Sequence, residues 1–420
     1  TRYHCVTGVQ TCALPIWIFN PNKIVDTPPM DTFLRYEAGQ QTPVFETAFR
    51  YQDQDVLQHA EQCNGSGDCR KTPISGGTMC PSFMATRNEK ETTRARANIL
   101  REFLTRSPQE NRFAHEEVKE VMDLCLACKG CKAECPSNVD VAKLKMEFLY
   151  QYQKEKGLPL RSWLIGHFAD ISSLASKIPF LYNLVMGTTW MRRLANRVVG
   201  FHPDRTMPLL ANQTLWAWLK GRKTISSENS VYVFVDEFTN FNDAEVGRKA
   251  VLLLERLGYA VKTIAHPISG RAYLSKGMLD EAKVLAQKNV DLWAELISSD
   301  VPLLGIEPSA ILTFRDEYPD LVSEESVEKA KQLAGNVFLL EEFIAREMEK
   351  KRILPSAFTQ EKKLLKLHGH CQQKAMSSLV AAKKALSLPE NYEVQLIPSG
   401  CCGMAGSFGY EKEHYDLSMQ

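Results

Sequence analysis

No stretch of this chain is apolar for long enough to cross a bilayer; the best candidate is broken at Lys177 and Pro179. Charge of either sign is not in excess, since 51 Lys and Arg stand against 50 Asp and Glu, and a net charge of +1 gives no pointer to nucleic acid. The start lacks the charged stretch and apolar core of a secretory leader. At 420 residues and 44% hydrophobic content the chain has the composition of a globular protein, with room for two or three domains. A chain of this size buries an ordinary core without disulfide staples, so its 12 cysteines call for a chemical explanation.

Seven of them lie between Cys63 and Cys135. The run Cys125-x2-Cys128-x2-Cys131-x3-Cys135-Pro136 has the bacterial ferredoxin spacing, in which three thiolates wrap one cluster and the fourth reaches another. The partner segment, Cys63-Asn-Gly-Ser-Gly-Asp-Cys69 followed by Cys80-Pro81, overlays C-x2-C-G-x-C…C-P with Ser66 at one ligand position. On this reading Cys80 completes the cluster of Cys125, Cys128 and Cys131, and Cys135 crosses to that of Cys63 and Cys69. Two iron–sulfur clusters are expected, both 4Fe-4S unless the second is 3Fe-4S. Its open corner is a missing iron, a hydroxide, the Ser66 hydroxyl or the Asp68 carboxylate, and oxygen donors hold soft iron less tightly than thiolate. The competing reading is a pair of structural zinc sites, which usually appear as separate cysteine pairs without the crossed fourth ligand and its proline.

Helices are expected over residues 89–103 and 116–124. A third follows Cys135, capped by Asp140, with Val141, Leu144 and Phe148 on one face. Residues 160–223 carry Trp163, Phe168, Trp190, Trp216 and Trp218 through broken helices. A membrane-facing or quinone-facing role is one reading, but aromatic stripes more often mean core, so a connector packed on the cysteine module is expected. From Val231 the pattern alternates as α/β: strand 231–235, helix 244–257 and strand 259–264, then strand 364–367, helix 375–386 and strand 392–397. The two stretches align without a gap, Tyr259, Val261 and Ile264 on Tyr392, Val394 and Ile397. This places Ile268-Ser269-Gly270 on Cys401-Cys402-Gly403 and Phe238 on Cys371, an internal duplication with cysteines in one copy only. Adjacent parallel strands would gather Cys371, Cys401 and Cys402 at one sheet edge, a candidate metal or redox site; His368, His370 and His414 are candidate contributors, each more simply a surface or packing histidine.

Two features resemble known families, and a third resembles no gene product. Cys401-Cys402-Gly403-Met404-Ala405-Gly406-Ser407-Phe408-Gly409 resembles the Cys-Cys-Gly domain of heterodisulfide reductase subunits, glycolate oxidase iron–sulfur subunits and FAD-linked 2-hydroxy-acid dehydrogenases, and is nearest the last. Asn20-Pro21-Asn22-Lys23-Ile24-Val25-Asp26 resembles the closing residues of FAD-linked oxidases of the D-lactate or D-2-hydroxyglutarate dehydrogenase type, which lead into an iron–sulfur module. Residues 6–16 resemble a translated sequencing adapter, so residues 1–16, with Cys5 and Cys12, are expected to be non-native. The resemblance implies FAD in a missing N-terminal domain and further cysteine ligands beyond Gln420. It also sets Ala310 where relatives often carry cysteine, so the first copy is expected to be scaffold.

The expected fold is α + α/β: an α-helical ferredoxin-like two-cluster module, then a duplicated α/β Cys-Cys-Gly domain. The expected division is an artefact over 1–16, a flavin-domain tail and linker over 17–50, the 4Fe-4S module over 51–155, a helical connector over 156–229 and the duplicated domain over 230–420. The implied function is the electron-transfer portion of a FAD-dependent dehydrogenase of D-lactate, glycolate or D-2-hydroxyglutarate, with Cys371, Cys401 and Cys402 as a further cluster site. Its partners would be a FAD domain in cis or a flavoprotein subunit, and an acceptor such as a quinone or carrier protein. A cytoplasmic setting is expected, with peripheral contact at the inner membrane face as the variant. Alternatives are a separate iron–sulfur subunit of a glycolate oxidase or anaerobic glycerol-3-phosphate dehydrogenase complex, a redox-sensing adaptor, and a heterodisulfide-reductase-like enzyme.

Overall fold

The computed structural model describes residues 29, 32, 39, 42–52 and 54–420. Cys5, Cys12 and the Asn20–Asp26 tail lie outside the described residues. The chain divides at Pro43, and Val44–Gln420 is one compact unit.

Short helices carry the first cysteines. Helix α1 (Val56–Glu61) opens on a capping box, Asp55 accepting from the Gln58 amide and Gln58 returning a bond to the Asp55 amide. Helix α2 (Pro81–Thr86) begins directly after Cys80, with proline in its first turn, where no amide hydrogen is needed. Thr92 caps α3 (Thr93–Arg106), and α4 (Glu116–Asp123) ends just before Cys125. A 3-10 turn at Glu89–Glu91 precedes α3, so the run expected as one helix is divided at the cap. Helix α5 (Gly130–Glu134) carries Cys131. Asp140 caps α6 (Val141–Lys156) as the sequence predicts, and Val141, Leu144 and Phe148 are buried.

Four helices then cross the connector: α7 (Leu160–Gly166), α8 (Phe168–Ala175), α9 (Pro179–Gly187) and α10 (Thr189–Val199), followed by α11 (Leu215–Lys220). The expectation that their aromatics form core needs correction. Phe168 stacks on Phe238 at 5.5 Å and Trp216 and Trp218 are half-buried, but Trp163 and Trp190 are exposed.

A four-stranded parallel sheet follows in the order β2-β1-β3-β4, made of β1 (Ser230–Val233), β2 (Ala260–Lys262), β3 (Leu303–Gly305) and β4 (Val337–Leu339). Helix α12 (Ala244–Arg256) crosses from β1 to β2, and α13 (Leu279–Trp293) buries Trp293 against Phe234. A second, two-stranded parallel sheet pairs β5 (Lys363–Leu367) with β6 (Tyr392–Leu396), Lys363 opposite Tyr392 and Leu367 opposite Leu396. The helix expected over 375–386 is two: α14 (Cys371–Met376) and α15 (Leu379–Leu386). Ser378 breaks the run by accepting from the Val380 amide, since a serine side chain competes for backbone bonds at a helix start. One apolar core runs through the unit, joining Leu57, Leu100 and Phe148 of the cysteine module to Trp293, Phe314 and Leu339 of the α/β part.

Candidate metal centre

Met122 at the end of α4 and Lys129 in the left-handed conformation bring Cys125, Cys128 and Cys131 round a loop. Gly130 makes the next step: a side-chain carbon there would stand 3.3 Å from the Met79 nitrogen and the Thr78 carbonyl carbon, so glycine gives α5 its close approach to the chain entering Cys80. Glu134 locks the same junction, with its carboxylate accepting from the Thr78 and Met79 amides and from Lys71 Nζ at 3.0 Å. The result is a small, partly open cavity lined by Cys80, Cys125, Cys128 and Cys131, with Met79, Leu126, Val141 and Ala142 among its apolar walls. These are the four cysteines the sequence assigns to one cluster.

Two buried cations line the cavity, Arg96 and Lys129, and Arg96 touches a cysteine. Arg96, 1% exposed, sets Nη1 at 3.4 Å from Cys80 Sγ and 2.8 Å from the Glu91 carbonyl, Nε at 3.0 Å from the Val121 carbonyl and Nη2 at 2.8 Å from Glu91 Oε2. Burial, then the charges of Cys80 and Cys125, push the Cys128 thiol well above its ordinary value. Burial, then Asp140, Cys128 and Cys125, do the same at Cys131. Thiols held in this way lose their protons when a metal takes their place. The set fits an iron–sulfur cluster: the donors are soft thiolates, and they surround a volume rather than converging on a point. Among the described residues no three His, Cys, Asp or Glu side chains converge on a single ion.

Cys63 and Cys69 are buried. Burial raises the Cys69 thiol, and the charges of Cys80 and Cys63 add to it. Asn98 Nδ2 lies 3.6 Å from Cys63 Sγ. Ser66 and Asp68 are exposed, so the structure leaves both oxygen candidates on the open side of a loop whose cysteines point to the core. Cys135 is half-buried and donates its amide to the Cys131 carbonyl at 2.9 Å.

The second cysteine group lies where the parallel β5–β6 pair ends. Cys371 opens α14 behind the His370 cap, Cys401 and Cys402 follow β6, and Cys371 Sγ lies 3.7 Å from Cys401 Sγ. Gly403, at φ +74°, is needed twice: the backbone is left-handed, and a side-chain carbon would stand 2.3 Å from the Ser418 carbonyl oxygen. Lys374 Nζ donates to the Ser399 and Gly400 carbonyls at 2.8 Å and fixes the approach to the cysteine pair. Hydrogen bonds from Cys371 and Cys401, then from the Met404 and Ala405 amides, hold the exposed Cys402 thiol far below its ordinary value, while Cys401 is pushed up by Cys371 and Cys402. The histidines are engaged elsewhere: His368 with Ser399 at 2.6 Å, His370 with the Gln372 amide at 3.3 Å and Glu307 at 3.6 Å, and buried His414 with Asp123 at 2.8 Å.

The two cysteine groups adjoin. Helix α14 packs on α5, and the charges of Cys128 and Cys401 act on one another's surroundings, Cys401 raising Cys128 and Cys128 raising Cys371. A buried ionic network that the sequence does not announce braces the junction. Lys129 pairs with Asp316 and, at 2.5 Å, with Glu317; Lys132 pairs with Asp316, Lys143 with Asp320, and Arg271 with Glu317 at 2.6 Å. Burial alone would raise Asp316, but Lys129, Lys132 and Lys143 outweigh it and hold that carboxyl well below the usual range.

Residues 62–140 match the family model of the 4Fe-4S dicluster domain. The chain is 27% identical to the D-2-hydroxyglutarate dehydrogenase of Escherichia coli (strain K12) over 95% of its own length and 43% of that protein's, and 24% identical to that of Haemophilus influenzae over 100% and 45%. It is 22% identical to a subunit of the anaerobic glycerol-3-phosphate dehydrogenase of Escherichia coli (strain K12), over 67% of this chain and 71% of that subunit. The chain thus spans less than half the length of the D-2-hydroxyglutarate dehydrogenases it matches. No solved structure matches. These relatives are named as dehydrogenases or a subunit of one, and the matched domain is one that holds 4Fe-4S clusters.

Proposed function

We propose that this chain is the iron–sulfur portion of a flavin-linked dehydrogenase of 2-hydroxy acids, its two-cluster module followed by a duplicated Cys-Cys-Gly domain. The observation that carries the proposal is the cavity walled by Cys80, Cys125, Cys128 and Cys131, where two distant cysteine segments meet. These four residues would hold one cluster, and Cys63, Cys69 and Cys135 the second. A bound cluster accepts and returns single electrons, which suits it to a flavin that receives two at once. The chain's own residues exclude water with Met79, Leu126 and Val141, place the Arg96 charge against Cys80, and brace the loop through Lys129. Cys371, Cys401 and Cys402 form a further metal or redox site beside Cys128.

A separate electron-transfer subunit is the second reading, favoured by the 71% coverage of the glycerol-3-phosphate dehydrogenase subunit. Both readings meet in one experiment. The chain is mixed anaerobically with the flavoprotein, fused or separate, encoded at its locus, and cluster absorbance is followed on addition of D-2-hydroxyglutarate, D-lactate, glycolate or glycerol 3-phosphate. Bleaching by a 2-hydroxy acid supports the proposal; bleaching by glycerol 3-phosphate alone selects the second reading; no bleaching by any of the four overturns both.

A further inference from the structure

We propose that the connector helices α9 and α10 are a docking surface for an anionic lipid bilayer. Helices α9 and α10 pack on each other, and each keeps an apolar stripe in solvent. On α10, Trp190, Leu194 and Val198 recur every four residues and so share one face, with Trp190 67% and Val198 81% exposed. On α9, Phe180, Leu181 and Leu184 are exposed, Phe180 at 74%. Single exposed apolar side chains are ordinary, but six on two neighbouring helices form a patch that needs a partner.

Charge selects the occupant. Residues 160–200 contain five basic side chains, Arg161, Lys177, Arg192, Arg193 and Arg197, and one acidic, Asp170; Arg161 and Arg193 pair with carboxylates outside this stretch, leaving Lys177, Arg192 and Arg197. Arg197 and, four residues before it, Arg193, which pairs with Asp204, flank the Trp190–Val198 stripe. Lys177 and Arg197 are exposed, and neither pairs with a carboxylate among the described residues. Apolar side chains bordered by unpaired cations match the interface of an anionic bilayer, where the rings and aliphatic groups enter the acyl boundary and the cations meet phosphates. Helices of 9 and 11 residues are too short to span the hydrocarbon layer, so the contact lies in the plane of the surface.

The segments flanking this surface contact the chain that follows the second cysteine group. His202, just after α10, stacks on Tyr415 at 3.5 Å; Arg205 donates to the Gly409 carbonyl and to Ser418 Oγ, both at 2.6 Å; Arg161 Nη1 reaches Glu413 at 3.0 Å. Docking would therefore hold the loop after Cys401–Cys402–Gly403 at the membrane. The lipid contact itself does not depend on the iron–sulfur reading, because no cysteine takes part in it.

The test is sedimentation of the full chain with vesicles of phosphatidylcholine alone and of phosphatidylcholine with phosphatidylglycerol, at low and high salt, iron content being measured in parallel. The expected result is binding to the anionic vesicles that weakens with salt and falls roughly tenfold or more in Trp190→Ser/Leu194→Ser and, separately, in Lys177→Glu/Arg197→Glu. These side chains are exposed, so iron content should remain at the parent value. Binding unaffected by both variants would overturn the assignment. So would absence of binding, whether the chain is monomeric or forms a dimer that Trp190→Ser disperses, the latter assigning the face to a second copy. Parent iron content with no lipid binding would refute the surface alone; lipid binding without iron would refute the cluster reading alone.

Discussion

Arg96 and Glu91 form a buried ion pair beside the cavity with the cation nearer the sulfur, so neutralising one or both members should move the cluster potential in opposite directions. Glu91→Gln keeps a hydrogen-bond acceptor for Nη2 and leaves the guanidinium against Cys80 without its counter-charge. Arg96→Met with Glu91→Gln removes both charges. Taking the guanidinium at roughly 5 Å and the carboxylate at roughly 8 Å from the charge of the cluster, with an effective dielectric constant of about 20, the contributions are about 3 and 2 kcal/mol. For one electron, 1.4 kcal/mol corresponds to about 59 mV. Glu91→Gln should therefore raise the potential by roughly 90 mV, and the double variant should lower it by roughly 50 mV. The assay is a redox titration followed by electron paramagnetic resonance, on samples matched for iron. Shifts of the same sign, or none in either variant, would refute the placement of Arg96 as the charge that acts on the cluster at Cys80.

Two further outcomes follow from the packing. His266 accepts the Val235 amide at Nε2, 3.1 Å away, and donates from Nδ1 to the Pro267 carbonyl; burial lowers its pKa from 6.5 to about 4, so it folds neutral. Its contribution to stability is complete above about pH 6.5 and is lost as pH falls toward 4, up to about 3 kcal/mol, and His266→Gln should flatten that part of the urea-denaturation profile. A wild-type profile without a fall across this window would contradict the assignment. Gly403→Ala should destabilise the chain by roughly 2 kcal/mol or more, because it meets both a left-handed backbone and the Ser418 carbonyl, whereas Gly406→Ala, with open space, should meet the backbone strain alone; equal denaturation midpoints for the two would refute the close approach.

The parts of the structure that the sequence made legible are those coded by local spacing. The Cys125–Cys135 run, the Asp140 cap and the Val141, Leu144 and Phe148 face depend on residues a few positions apart, and the meeting of Cys371 with Cys401 follows from two parallel strands. What escaped has other causes. Strands β3 and β4 are three residues each, too short to show a period. Lys129 and Asp316 are 187 positions apart, and an isolated lysine in a cysteine motif looks like any surface cation. Glu134 stands next to Cys135 in a position that reads as solvent-facing, yet it clamps the chain before Cys80. The exposure of Trp190 depends on what packs over α10, which composition does not record.

The central claim is that these cysteines hold iron–sulfur clusters, and the most direct test is the metal and acid-labile sulfide content of the full chain purified without oxygen, beside Cys128→Ser. The account predicts iron and sulfide in nearly equal amounts, about seven or eight iron and about eight sulfide per chain before any contribution from Cys371, Cys401 and Cys402, with roughly half of both lost in the variant. Zinc in place of iron, with no labile sulfide, or an iron content unchanged by Cys128→Ser, would contradict it.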